Sequence, residues 1–147
     1  VCLRVACWNG GDDNFPSHAV TDNVVFGTFM PPFAAILGCN PGGNAIDFGV
    51  TNATPGNFFY LAVAVGSAGV APNGWFYGIN INWVELNAQI SLGPPFTGLV
   101  GASGSTVVTL PAVGCGAFGI TVDHVALEFA TGSTNFVQAS VPQSLTL

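Results

Sequence analysis

Few side chains in this sequence could do chemistry, and their spacing limits what they could do. His124 follows Asp123 directly, and His18 lies close to Ser17 and Asp22. A hydrolase needs a nucleophile, a base and an acid that orients the base. Consecutive residues of a strand point to opposite faces, so Asp123 and His124 cannot form a dyad directly. Glu85 and Glu128 are the only glutamates, and nothing marks them as the paired carboxylates of a glycosidase. There is no Gly-x-Ser-x-Gly elbow and no phosphate-binding loop. The expectation is a protein that is not an enzyme.

Metal chemistry has one opening. The run Asn9-Gly10-Gly11-Asp12-Asp13-Asn14, with Asp22 beyond it, could offer three carboxylates to Ca²⁺: Asp12, Asp13 and Asp22. Their positions do not follow the EF-hand series, so an Asx-rich turn without a cofactor is the preferred reading. Zinc-ligand spacing is missing, because no Cys-x-x-Cys pair occurs and His18 and His124 are the only histidines. The aromatic residues are the remaining candidates. Trp75, Tyr77 and Trp83 fall on one face of an alternating stretch, while Phe58, Phe59 and Tyr60 are consecutive. Exposed rings would make a platform for sugar rings; buried ones would fill a core or a subunit interface, which is the commoner use.

The elements that must hold these residues read as strands. Hydrophobic period two runs through residues 1–8, 18–30, 45–51, 75–83, 106–110, 118–129 and 136–147, and residues 58–65 are almost continuously apolar. Residues 33–37 are a short apolar piece of undecided type, and residues 84–92 continue from the alternating stretch. Gly- and Pro-rich turns separate these pieces about every ten residues. The pattern predicts an all-β protein: a single β-sandwich of Greek-key or jelly-roll type with about eight or nine strands and no helix. Pro41–Gly43 divides an N-terminal arm (1–40) from a body (44–147).

Composition narrows the partners. The chain has 147 residues, half of them hydrophobic, with one basic side chain (Arg4) against seven acidic ones, for a net charge of −6. A lone cation cannot neutralise a run of phosphates, so nucleic acid is excluded, and anionic membranes lack the polybasic partner they need. No stretch of about 18 apolar residues is long enough to insert in a membrane as a helix. Val1 without an initiator Met or signal peptide reads as a processed N-terminus. The four cysteines predict two disulfides in an exported protein. On a strand spanning residues 1–8, Cys2 and Cys7 would stand roughly 16 Å apart, too far to bond. They would then bond separately to Cys39 and Cys115 and pin the arm. If residues 1–8 form a loop, Cys2–Cys7 and Cys39–Cys115 become possible; the first arrangement is slightly preferred. Asn52-Ala53-Thr54 matches the glycosylation acceptor pattern, although Pro55 disfavours it.

The body carries a resemblance. Its residues are Gly43-Asn44-Ala45-Ile46-Asp47-Phe48-Gly49-Val50, Pro55-Gly56, the apolar run 58–65, Gly101-Ala102-Ser103-Gly104 before 106–111, and the stretches 118–129 and 138–147. Together they resemble the secreted C-terminal β-domains of exported proteins of planctomycetes and similar bacteria, over about 105 residues. The resemblance implies no assigned catalytic residues. A separate arm with its own cysteines departs from that pattern and leaves a subunit role open.

The function expected is a structural subunit of an extracellular filament, pilus-like fibre or surface coat. It would assemble with its own copies by edge or donor-strand contacts, with residues 1–8 or 18–30 as the donor. The interface candidates are Val1, Leu3, Val5, Val24, Phe26, Phe58, Phe59 and Tyr60. The alternative is a secreted carbohydrate-binding β-sandwich whose sugar platform is Trp75, Tyr77 and Trp83.

Overall fold

A computed structural model describes residues 31–147. Residues 1–30 fall outside this description, and with them Val1, Cys2, Leu3, Val5, Cys7, Asp12, Asp13, His18, Asp22, Val24 and Phe26. The described chain is an all-β sandwich of two antiparallel sheets with one short helix. The first sheet has the order β1-β2-β5, from β1 (Ala34–Cys39), β2 (Ala45–Thr51) and β5 (Thr106–Pro111). The second runs β4-β3-β6-β7, from β4 (Thr97–Leu99), β3 (Phe58–Ala64), β6 (Thr121–Phe129) and β7 (Phe136–Ala139). β8 (Gln143–Thr146) pairs with the start of β6, beside the stretch that β7 covers. β1 lies on the arm side of Pro41–Gly43 and pairs with β2 through a tight turn in which the Asn40 amide donates to the Ala45 carbonyl.

The apolar run at residues 58–65 has a simple cause. β3 is covered on both faces, so its side chains have no solvent side to keep polar. Phe59, Leu61 and Val63 point between the sheets, where they meet Val50, Val122 and Ala126. Tyr60, Ala62 and Ala64 point the other way, against Ile79, Ile81 and Leu86. That outer layer comes from residues 66–82 and helix α1 (Trp83–Leu92).

Helix α1 corrects the expectation of an all-strand chain. Asn82 is its N-cap: its side chain accepts from the amides of Val84 and Glu85, while the Glu85 carboxylate accepts from the Asn82 amide. This reciprocal capping box satisfies end groups that a helix otherwise leaves orphaned. Residues 75–83 are a turn rather than the expected strand, with short bridges between Gly74 and Gly78 and between Phe76 and Ile79. A Cβ on Gly74 would stand 2.0 Å from the Ile79 carbonyl carbon, so this reversal requires a glycine there. The expected last strand divides into β7 and β8, because residues 140–142 lead the chain from one end of β6 to the other.

The disulfide also departs from the preferred pairing. Cys39 is bonded to Cys115, with Cα atoms 5.7 Å apart, so neither is open to Cys2 or Cys7. The turn after β1 makes the match. The Gly43 carbonyl accepts from the amides of Gly114 and Cys115, and so carries the 3-10 turn Cys115–Ala117 to the end of β1. The bond spans a sequence separation of 76 residues, and closing a loop of that size is worth about 4–5 kcal/mol in the chain-entropy model. Replacing both Cys39 and Cys115 by alanine should lower the unfolding free energy by about that amount in urea titrations. An unchanged midpoint would mean the bond constrains nothing.

Candidate functional site

The structure gathers exposed aromatic rings on the outer side of the second sheet. Trp75, Tyr77 and Trp83 are 53%, 46% and 65% exposed. Trp75 and Trp83 pack with ring centroids 5.2 Å apart, and Tyr77 stacks on Phe136 of β7 at 5.4 Å. Phe76 joins the two pairs: it meets Trp75 at 5.5 Å and Tyr77 at 5.2 Å, and also touches Tyr60 of the core. The platform is therefore fastened to β3 through Phe76.

Two features hold these rings outward. The Trp75 indole N–H donates to the Ile81 carbonyl at 3.0 Å, which occupies its polar edge inside the turn. Tyr77 takes a left-handed backbone conformation, φ 47°, which costs a bulky residue energy and is tolerated only where its surroundings enforce it. The alternating pattern in this segment thus marks a surface cluster on a turn and a helix start. It does not mark the two faces of a strand.

Phe58, Phe59 and Tyr60 do not share a surface. Phe58 is half-exposed, while Phe59 and Tyr60 are buried on opposite faces of β3. The Tyr60 hydroxyl donates to Gln89, and burial pushes its pKa well above the ordinary value.

The titratable groups serve the fold. Asp123 is fully buried and accepts from the amides of Gly69, Val70 and Ala71 and from the Ser144 hydroxyl, so it fastens the 66–72 loop to β6 and β8. Burial alone would raise its pKa; those four donors outweigh burial and hold it below the usual value. Glu128, also fully buried, accepts from the Asn57 amide group at 2.6 Å, the Thr54 amide at 2.9 Å and Gln138 at 2.5 Å. Against the opposing effect of burial, these bonds depress its pKa in the same way. Glu85 lies on α1, over the outer face of the second sheet, whereas Glu128 points between the sheets. The two glutamates are not brought together.

His124 points between the sheets, away from Asp123, and its Nδ1 has no hydrogen-bond partner among the described residues. Burial lowers its pKa and the Asp123 charge partly restores it. Among the described residues, no group of three or more His, Cys, Asp or Glu side chains could hold a metal ion, and no helix is long and apolar enough to cross a membrane. Asn52 of the glycosylation pattern is engaged by Pro32, whose carbonyl accepts its side-chain amide at 3.1 Å. Compared with protein families, curated proteins and solved structures, the chain matches none.

The sign of the pH dependence follows from these shifts. His124, Asp123 and Glu128 all have depressed folded-state pKa values, so each binds protons more weakly folded than unfolded. Their stabilisation is present above the unfolded values and lost as pH falls toward the folded ones. The melting temperature should therefore decline in two stages, from about pH 6.5 for His124 and again below about pH 4.5 for the carboxylates. In His124→Leu the first stage should vanish; its persistence would remove His124 as the cause.

Proposed function

We propose that this protein is a structural subunit of an extracellular filament, fibre or surface coat, assembling with its own copies through sheet edges. The character of its surface carries this reading. No Lys or Arg occurs among the described residues, Asp123, Glu128 and His124 are buried, and Asp47 and Glu85 are only partly exposed. Meanwhile eighteen large hydrophobic side chains are exposed. A free monomer relies on mixed surface charge to stay apart from its neighbours. A surface of this composition suits contact with copies of itself, since burying it desolvates almost no charge. The Cys39–Cys115 disulfide supports an oxidising, extracellular setting.

The exposed rings favour a second reading, a carbohydrate-binding module. Trp75, Tyr77 and Trp83 present ring faces on a described surface with no Lys or Arg and only Asp47 and Glu85 partly exposed, which suits neutral sugars over charged ones.

Negative-stain electron microscopy of the native material separates the two. Regular filaments or sheets are expected; uniform single particles of the 15.0 kDa chain would overturn the structural reading. For the second reading, a neutral polysaccharide should shift tryptophan fluorescence, and Trp83→Ala should weaken its binding about tenfold, or 1.4 kcal/mol. No shift across a panel of neutral glycans would remove it.

A further inference from the structure

The two sheets differ in width, and the difference lies at one flank. β2 approaches β3 and β1 approaches β6, so the three-stranded sheet ends where the five-stranded sheet continues to β7 and β8. Over β8 the cover thins: β1 reaches it at Gly38, where a Cβ would stand 4.0 Å from the Leu145 side chain. The inward face there is apolar and incompletely covered: Leu145 and Leu147 are only partly buried, and Ile120, paired with Leu147, is 46% exposed. A separate cleft of about 510 Å³ opens at the end of the sandwich where β1 begins, between Pro31–Phe33, the 52–55 and 102–104 loops and Gln138 of β7.

The strand bounding this flank has an edge that no other described strand pairs with. Asn40 donates to Ala45, so in the alternating antiparallel ladder the even-numbered residues of β1 bond to β2. The amides and carbonyls of Ala35, Leu37 and Cys39 therefore point away from β2, and no described backbone group pairs with them. No proline, lysine or acidic residue blunts the run Ala34–Cys39. The opposite edge of the sheet is different. Ala112 donates to Asn44, which places Pro111 among the outward residues of β5, where it has no N–H to offer.

We infer that the free edge of β1 is the acceptor for residues 18–30 of a second copy of this chain. The inference rests on the assembly reading above and names the contact that reading leaves open. Thirty residues precede Pro31. Of these, residues 18–30 extend roughly 43 Å as a strand, about twice what β1 needs. They are rich in β-branched and aromatic residues, and as a strand they would set Val24, Phe26 and Met30 on one face, apolar as Ile120 and Leu145 are. Pro31 and Pro32 decide between the chain's own β1 and a neighbour's. A tight hairpin would need a reversal at residues 30–33. Each residue before a proline is biased to extended backbone, no turn occurs at 31–33, and Asn52 holds the Pro32 carbonyl against the 52–55 loop. A tight hairpin onto the chain's own β1 is thus disfavoured. The outcome is a head-to-tail exchange, which grows without closing on itself unless its rotation makes a ring.

The test uses the full chain over a range of concentrations, with sedimentation for mass and amide hydrogen exchange read at single residues. As mass rises, exchange at Ala35, Leu37 and Cys39 should slow by about tenfold or more, while Ala34, Ile36 and Gly38 are protected throughout. Phe26→Asp should keep the even-numbered protection and shift assembly to higher concentration. Assembly with the odd amides still fast would overturn this inference and leave the subunit reading standing. Odd amides protected in single copies would show the arm on its own β1 and overturn the exchange. Absence of assembly at any concentration would remove both.

Discussion

The structure depends on completing the hydrogen bonds along one edge of β3. This strand is buried on both faces, and β6 pairs with its other edge along its whole length. The outward groups recur at every second residue, and each finds a partner of a different kind. Asn57 and Phe59 are met by backbone at Val100 and Gly98, and the Leu61 amide donates to the Phe96 carbonyl. At Val63 the backbone partner runs out and the Gln89 side chain replaces it, accepting from the amide at 3.0 Å and donating to the carbonyl at 2.5 Å. Glu85 then accepts from Gly66 at 3.0 Å and from Val65 at 3.4 Å. Four residues of helix rise about 6.0 Å and two residues of strand about 6.6 Å, so side chains at 85 and 89 match strand positions 65 and 63. An unpaired buried amide costs about 1–3 kcal/mol, and this match explains why a helix stands where a sixth strand of the sheet would otherwise begin.

The same economy governs the charges. A chain with so few ionisable groups has put the best buried of them to structural work: Asp123 holds a loop, Glu128 joins a turn to β7, and Glu85 closes the edge of β3 and caps α1. Apart from the partly exposed Asp47 and Glu85, the described surface is mainly Asn, Ser, Thr, Gly and exposed apolar side chains. With four acidic side chains and no basic one among the described residues, the surface has no mixed charge pattern for a partner to match. This favours the contact-based partners proposed above, selected by shape, apolar area and open backbone groups. Strand pairing and ring stacking, the two interactions proposed above, both suit such a surface.

Much of the fold was legible in the sequence because burial and period two report directly on sheets. Residues 45–51 match β2, and the apolar run 58–65 matches β3 within one residue. Between residues 75 and 92 the local pattern misleads. The stretch 75–83 alternates as a strand does, yet Gly74, Gly78 and a left-handed Tyr77 fold it into a turn, and tertiary packing of Ile79 and Ile81 outweighs the local pattern. Helix α1 does carry a signature, Asn82 followed three residues later by Glu85, but its residues flow on from that alternation without a break, which masks the helix start. Trp75, Tyr77 and Trp83 were identifiable as a group, but their exposure depends on a turn geometry that composition does not contain. The disulfide was undecided for a different reason: cysteine spacing cannot show that the Gly43 carbonyl brings Cys115 to the end of β1.

The two candidate surfaces occupy opposite sides of the second sheet, and this determines how they relate. The aromatic cluster rests on the outer layer formed by α1 and residues 66–82, joined to Tyr60 through Phe76. The open edge of β1 belongs to the other sheet, beyond the core formed by Phe59, Leu61 and Val122. A strand added to β1 extends the first sheet sideways over β8 and leaves the ring cluster facing outward. Stacking and assembly therefore do not compete for the same residues. A polymer built through β1 would repeat the aromatic cluster once per copy along its length, and weak neutral contacts repeated in this way gain by multivalency what a single platform lacks. The proposed assembly and the ring platform are thus compatible parts of one surface plan.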